Sequence, residues 1–79
     1  MKLVIAKVDQ IYFDGEATSV TAPGSEGELT VMGEHMPLVT TLKAGVVTVR
    51  GADIPGGEQQ LEIAGGIMEV RRDGATIIL

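Results

Sequence analysis

Between positions 26 and 35 stand the groups of this chain best suited to chemistry: Glu26, Glu28, Glu34 and the single histidine, His35. Carboxylates beside an imidazole are the parts of general acid–base catalysis and of metal sites, but both uses need partners that converge on one point. One histidine and no cysteine rule out a histidine-rich or thiolate zinc site. Gly24-Ser25-Glu26-Gly27 is framed by glycine as a phosphate cradle is, yet no lysine follows, no helix starts there, and two glutamates repel phosphate. Recognition remains. Pro23 and Gly24 set a turn and Gly27 permits a positive φ, so Ser25, Glu26 and Glu28 project from a stiff loop. A second loop, Gly33-Glu34-His35-Met36-Pro37, follows after one strand. The plain alternatives are a solvated acidic turn and a loop histidine bonded to nearby backbone.

The elements that hold these loops are short. After Asp14, the longest stretches free of glycine and proline are Glu16–Ala22, Leu38–Ala44, Glu58–Ala64 and Ile67–Asp73, seven residues each. A helix wants at least about 10–12 residues, a strand only about 4–8. The β-branched runs Val4-Ile5, Val46-Val47-Thr48-Val49 and Thr76-Ile77-Ile78 fit a pleated surface. Leu61-Glu62-Ile63-Ala64 alternates. In Ile67-Met68-Glu69-Val70-Arg71, Glu69 and Arg71 mark a wet face, and Arg50 and Arg72 are read as further solvent-facing charges.

Strands are predicted near Leu3–Val8, Ile11–Phe13, Thr18–Ala22, Glu28–Val31, Leu38–Thr41, Val46–Arg50, Gln59–Ala64, Ile67–Arg71 and Ala75–Leu79. Turns are expected at Asp14-Gly15, Lys43-Ala44-Gly45 and Pro55-Gly56-Gly57, with a tight reversal at Gly65-Gly66. Arg72-Asp73-Gly74 carries the Asp-Gly pair of a type I′ hairpin. The expected fold is all-β: one small β-sandwich domain over residues 1–79, of about nine to ten short, mostly antiparallel strands.

Composition narrows the function. A chain of 79 residues buries roughly 60% of its unfolded surface, so its core is thin. Tyr12 and Phe13 are the only aromatics, too few for base- or sugar-stacking platforms. The net charge of −5 disfavours nucleic acid and anionic membrane surfaces and suits a basic partner. No apolar run approaches the ~20 residues of a spanning helix. Lys7 and Asp9 cut the first apolar run to four residues, below the about 7–15 of a signal-peptide core. The chain ends on an apolar strand, which suggests a shortened or naturally short form.

Four motifs in order carry a resemblance: Gly24-Ser25-Glu26-Gly27-Glu28, His35-Met36-Pro37-Leu38, Lys43-Ala44-Gly45-Val46 and Gly65-Gly66-Ile67-Met68-Glu69-Val70. The opening strand, Phe13 and Gly15 add to it. In these the chain resembles, over essentially all its length, the N-terminal β-sandwich of the epsilon subunit of F-type ATP synthases (the mitochondrial counterpart is called delta). The family often has glycine where Thr30 stands and proline where Gly33 stands, so the backbone there is expected to differ. The family's usual C-terminal helical hairpin has no counterpart among these residues. Its properties, inhibition of ATP hydrolysis and in some bacteria ATP binding, are not expected of them.

The resemblance implies a non-catalytic central-stalk element with no cofactor and no metal. Its partners would be the gamma subunit and the membrane c-ring, during proton- or sodium-driven ATP synthesis. The implied ring contact is the loop Gly24, Ser25, Glu26, Gly27 and Glu28; the implied gamma side carries His35, Met36, Leu38 and Thr40. The location would be peripheral to the bacterial plasma membrane on its cytoplasmic side, or to the thylakoid on its stromal side. Two other readings compete. A free-standing β-sandwich module for carbohydrate or peptide is weakened by the scarcity of aromatics. A cupin-type metal enzyme wants several histidines and finds one.

Overall fold

The computed structural model describes all residues, 1–79. Nine strands follow in order: β1 (Lys2–Lys7), β2 (Gln10–Glu16), β3 (Ser19–Gly24), β4 (Gly27–Met32), β5 (Leu38–Leu42), β6 (Gly45–Arg50), β7 (Glu58–Ile63), β8 (Gly66–Arg71) and β9 (Gly74–Ile78). The one helical piece is a 3₁₀ turn, Pro55–Gly57, at the predicted loop tip. All nine predicted strands are present.

The strands form two layers of a curled sheet. β2-β1-β9-β8-β5 make the first and β4-β3-β6-β7 the second, and a single pairing, Gly24 with Leu42, joins them. Every neighbouring pair is antiparallel except β1 with β9. The core fills the space between the layers. Leu3, Ile5, Met68, Val70, Ala75 and Ile77 face inward from one; Val20, Ala22, Val31, Val47, Val49 and Ile63 from the other. Aliphatic side chains do the filling, each stabilising by about 1.5–3 kcal/mol when fully buried for the larger ones. No buried side-chain polar atom lacks a hydrogen-bond partner.

Four local expectations are corrected. Asp14-Gly15 is not a turn: β2 runs on to Glu16, paired with Lys2. A bulge opposite Ile5 and Ala6 leaves Tyr12 as the extra residue, and both Tyr12 and Phe13 then pack against the core. The bulge re-phases the strand, so the pairing continues past residues that locally signal a turn.

Gly65-Gly66 is not a hairpin reversal. β7 pairs with β6 and β8 with β5 and β9, so the chain crosses between layers there. The Pro23-Gly24 turn is displaced. Both residues lie in β3, and the hairpin loop is Ser25-Glu26.

The β8–β9 loop is Arg72-Asp73, and it is not type I′, which needs positive φ at both central residues. Glu34 is the one non-glycine residue with positive φ. Gly74 serves packing instead: a Cβ there would overlap the backbone carbonyl of Lys2, which β1 brings alongside β9.

Candidate partner-docking surface

The acidic hairpin is built from strand pairing outward. Pro23 faces Glu28 and Gly24 faces Gly27, leaving Ser25 and Glu26 at the tip. Gly27 holds φ at 130°, a value that side chains disfavour. A Cβ on Gly24 would stand 2.6 Å from the Gly27 carbonyl oxygen, so the two strands close only over glycine. The tip is clamped from one side. The Ser25 amide donates to the Thr41 carbonyl at 2.9 Å, and the Lys43 amide donates to the Pro23 carbonyl at 2.9 Å.

The two glutamates of this hairpin do not form one patch. Glu26, at the tip, lines a hollow of about 340 Å³ with Ser25, Val39, Thr40, Thr41 and Ile67. Glu28 alternates with half-buried Leu29 and buried Val31, so it lies with Thr30 and Met32 on the outer face of the second layer. Both are exposed. Thr30, where the family often has glycine, meets Thr21 across the strands with their hydroxyls 2.8 Å apart.

The second loop sits at the other end of β5. The Glu34 amide donates to the Arg72 carbonyl at 3.2 Å, which ties the loop to the β8–β9 turn. Glu34 takes a φ of 66° next to Gly33. His35 Nδ1–H donates to the Met36 carbonyl at 2.7 Å. No group of three metal-ligating side chains is assembled around it or elsewhere.

The four residues expected on the gamma side, His35, Met36, Leu38 and Thr40, lie along β5 and the loop before it. Thr40 joins Glu26 at the hollow, whereas His35 and Met36 lie in the loop before β5, past its N-terminal residue Leu38. Leu38 and Thr40 are half-buried and in phase with buried Leu42; Val39, between them, is 71% exposed.

One surface was not read from the sequence. On the outer face of the first layer, cross-strand partners line up as Ile11, Ala6, Ile78, Ile67 and Thr41, one residue from each of β2, β1, β9, β8 and β5. Ile11, Ile67 and Ile78 are each at least half exposed, and Val39 extends the row. Five strands at the usual spacing make it about 19 Å long. Its flank is polar but satisfied internally: Lys2 pairs with Asp14 at 2.7 Å, and Arg71 with Glu69 at 3.1 Å and Asp73 at 3.4 Å. The Asp14 carboxylate, by hydrogen bond and then by charge, raises the Lys2 pKa above 10.5.

The outer face of the second layer differs. There Thr30, Thr21, Thr48 and Gln60 form the central row, with Arg50 bonded to Thr21 and paired with Glu58. A signal for the apolar row does exist in the sequence: Ile67 shares its parity with Glu69 and Arg71, and Ile78 shares that of Thr76.

The whole chain, residues 1–79, matches the family model described as ATP synthase, Delta/Epsilon chain, beta-sandwich domain. The chain belongs to this ATP synthase delta/epsilon family. It is 46% identical to ATP synthase epsilon chain 2 of Burkholderia orbicola, over 99% of this chain and 51% of the relative. With the ATP synthase epsilon chain of Mesorhizobium japonicum it shares 38%, over 98% of this chain and 56% of the relative. It thus spans about half the length of the relatives it matches. Among solved structures it superposes on a chain of the Euglena gracilis mitochondrial ATP synthase with a TM-score of 0.87 at 26% identity, covering 99% of this chain and 49% of that one. A chain from the central stalk and c-ring of the Tetrahymena thermophila mitochondrial ATP synthase, at 20% identity and a TM-score of 0.76, shares the fold. The epsilon-type β-sandwich is accordingly the architecture of all 79 residues.

Proposed function

We propose that this epsilon-type domain is a non-catalytic element of the rotor of an F-type ATP synthase, joining the gamma subunit to the membrane c-ring. The observation that carries this reading is the family match over the whole chain, and an exposed acidic hairpin and an exposed apolar row on one sandwich support it. The apolar row of Ile11, Ile78, Ile67 and Val39 is the surface for gamma. An exposed apolar strip rimmed by internally paired charges is the pattern of a docking face. His35 and Met36, at the far end of β5, make a separate gamma contact.

The hairpin Gly24, Ser25, Glu26, Gly27 and Glu28 meets the ring. Its carboxylates accept charge-assisted hydrogen bonds from basic loops. Exposed pairs of this kind contribute about 0–1 kcal/mol each, so they set register more than affinity. In this role the domain performs no chemistry. It lies peripheral to the coupling membrane through the complex, and its rigidity transmits torque.

The test is binding of the purified chain to gamma subunit and to ring-containing membranes. A Glu26→Lys, Glu28→Lys double variant is expected to keep gamma and lose the ring; a Val39→Asp, Ile67→Asp variant is expected to lose gamma. An unmodified chain that binds neither would overturn the reading.

A further inference from the structure

We infer that the β8–β9 loop carries a site of covalent modification. Asp73 converts to isoaspartate through a succinimide closed by the Gly74 nitrogen, and the product is a methyl acceptor for an isoaspartate carboxyl methyltransferase. The Gly74 nitrogen attacks the side-chain carboxyl carbon of Asp73. A C–N bond forms, the nitrogen gives up its proton, and a carboxyl oxygen leaves as water. Water then reopens the ring at either carbonyl. One opening restores aspartate. The other routes the main chain through the side-chain carboxyl, adding one methylene to the backbone and freeing an α-carboxylate. That carboxylate takes the methyl group of S-adenosylmethionine, which departs as S-adenosylhomocysteine.

The sequence holds two Asp-Gly steps, Asp14-Gly15 and Asp73-Gly74, and in both no Cβ shields the attacking nitrogen. The fold separates them. Ring closure requires the peptide after the aspartate to rotate. Asp14 and Gly15 lie inside β2, paired with Val4 and Leu3, and the Asp14 carboxylate stands 2.7 Å from Lys2 Nζ. Rotation there breaks the strand pairing on both sides and the ion pair with it.

Asp73 is held more lightly. It lies outside the strands, its side chain is 88% exposed, and its one ionic partner is the Arg71 guanidinium at 3.4 Å. Its carbonyl accepts from the Lys2 amide at 3.3 Å, outside the roughly 2.7–3.2 Å of ordinary N–H···O bonds. The pairing of Arg71 with Gly74 is the last of its hairpin, and terminal pairs open most readily. Rotation of this peptide costs that pair and one long bond, and the core stays in place.

The product does not fit the closed turn. A Cβ on Gly74 would overlap the Lys2 carbonyl, so an added methylene in the bond just before Gly74 forces this contact apart. One residue earlier, the Arg72 carbonyl accepts the Glu34 amide at 3.2 Å. Isomerisation therefore loosens β1 from β9 and releases the loop that carries His35 and Met36. Neither Asp73 nor Gly74 belongs to the acidic hairpin or to the apolar row.

The experiment ages the purified chain at neutral pH and physiological temperature, folded and, in parallel, unfolded in denaturant. Isoaspartate is counted by methyl transfer from labelled S-adenosylmethionine with a purified isoaspartate methyltransferase. Electron-transfer fragmentation then locates it. The unfolded chain should convert at both Asp-Gly steps. The folded chain should convert several-fold faster at position 73 than at position 14. Asp73→Glu, whose longer side chain closes a six-membered ring reluctantly, should accept almost no methyl, and Asp14→Glu should accept as much as the unmodified chain. In the aged, isomerised fraction the Glu34 and Lys2 amides should exchange with solvent faster.

A folded chain that stays unconverted at position 73 while the unfolded chain converts would overturn the inference. So would equal conversion at both positions, or methyl uptake undiminished in Asp73→Glu. An isomerised chain whose Glu34 amide exchanges at the original rate would remove the link to the second loop.

Discussion

The backbone amide of Ser25 reaches the carbonyl of Thr41 across 2.9 Å, from the tip of one hairpin to the C-terminal end of a strand in the other layer. Close by, Gly24 and Leu42 form the single pairing between the two layers. The acidic tip is thereby fixed to the strand that carries Val39, and the two proposed docking surfaces move as one body.

Gly27 carries the hairpin's unusual backbone. A Cβ there would meet nothing within 4 Å, so the cost of a side chain is conformational alone. Gly27→Ala is expected to destabilise the chain by about 1–3 kcal/mol. A synthetic chain with D-alanine at this position should unfold near the unmodified midpoint. Equal losses for both stereoisomers in denaturant titrations would contradict this account.

Gly74 makes the opposite case. Its φ is ordinary, but a Cβ would collide with the Lys2 carbonyl. Gly74→Ala should cost about 1–3 kcal/mol by forcing strands apart. Amide exchange should locate the loosening between β1 and β9 rather than in the β8–β9 loop.

Met68 lies at the centre of the core with 0% exposure. Met68→Ala should cost about 2–5 kcal/mol. Val39→Asp, on the exposed row, should stay within about 0.5 kcal/mol of the unmodified chain while losing gamma binding. Thermal melts separate the two, and a Val39 variant that melted as low as the Met68 variant would remove Val39 from the docking face.

Glu34 holds a φ of 66° that glycine adopts freely. The left-handed penalty of roughly 1–2 kcal/mol outweighs the roughly 0.4–1 kcal/mol entropy cost of a new glycine. Glu34→Gly should therefore raise stability by about 0.5 kcal/mol. A lower denaturation midpoint for this variant would show that the loop draws on the Glu34 side chain.

Lys2 sets an alkaline limit. Its pKa is raised above 10.5, first by the hydrogen bond to Asp14 and then by the charges of Asp14 and Glu16. A raised folded-state pKa contributes stability that is complete below about pH 10.5 and disappears as pH climbs through the folded value. The advantage of the unmodified chain over Lys2→Gln should be flat from neutral pH to about pH 10, then shrink. A difference between them that widened above pH 11 would have the wrong sign.

Much of this molecule is local, and local features are legible. Glycine and proline spacing limits every element to strand length, and β-branched runs such as Val47-Thr48-Val49 fill them. Ordered motifs such as Gly24-Ser25-Glu26-Gly27-Glu28 carry the family, and the whole-chain match agrees with them.

What the tertiary structure decided is everything that depends on which strand lies beside which. Asp14-Gly15 signals a turn locally, but pairing with Leu3 and Val4 keeps the chain extended. Glu26 and Glu28 look like one acidic patch until the hairpin leaves Glu26 in the loop, beside the first layer, and Glu28 in β4, beyond Gly27 with its φ of 130°. The apolar row of Ile11, Ile78, Ile67 and Val39 draws on four strands, β2, β5 and the β8–β9 hairpin, from three separate parts of the sequence. The physical reason is that turn and strand propensities act over a few neighbouring residues, whereas a sheet face is composed by register between distant ones.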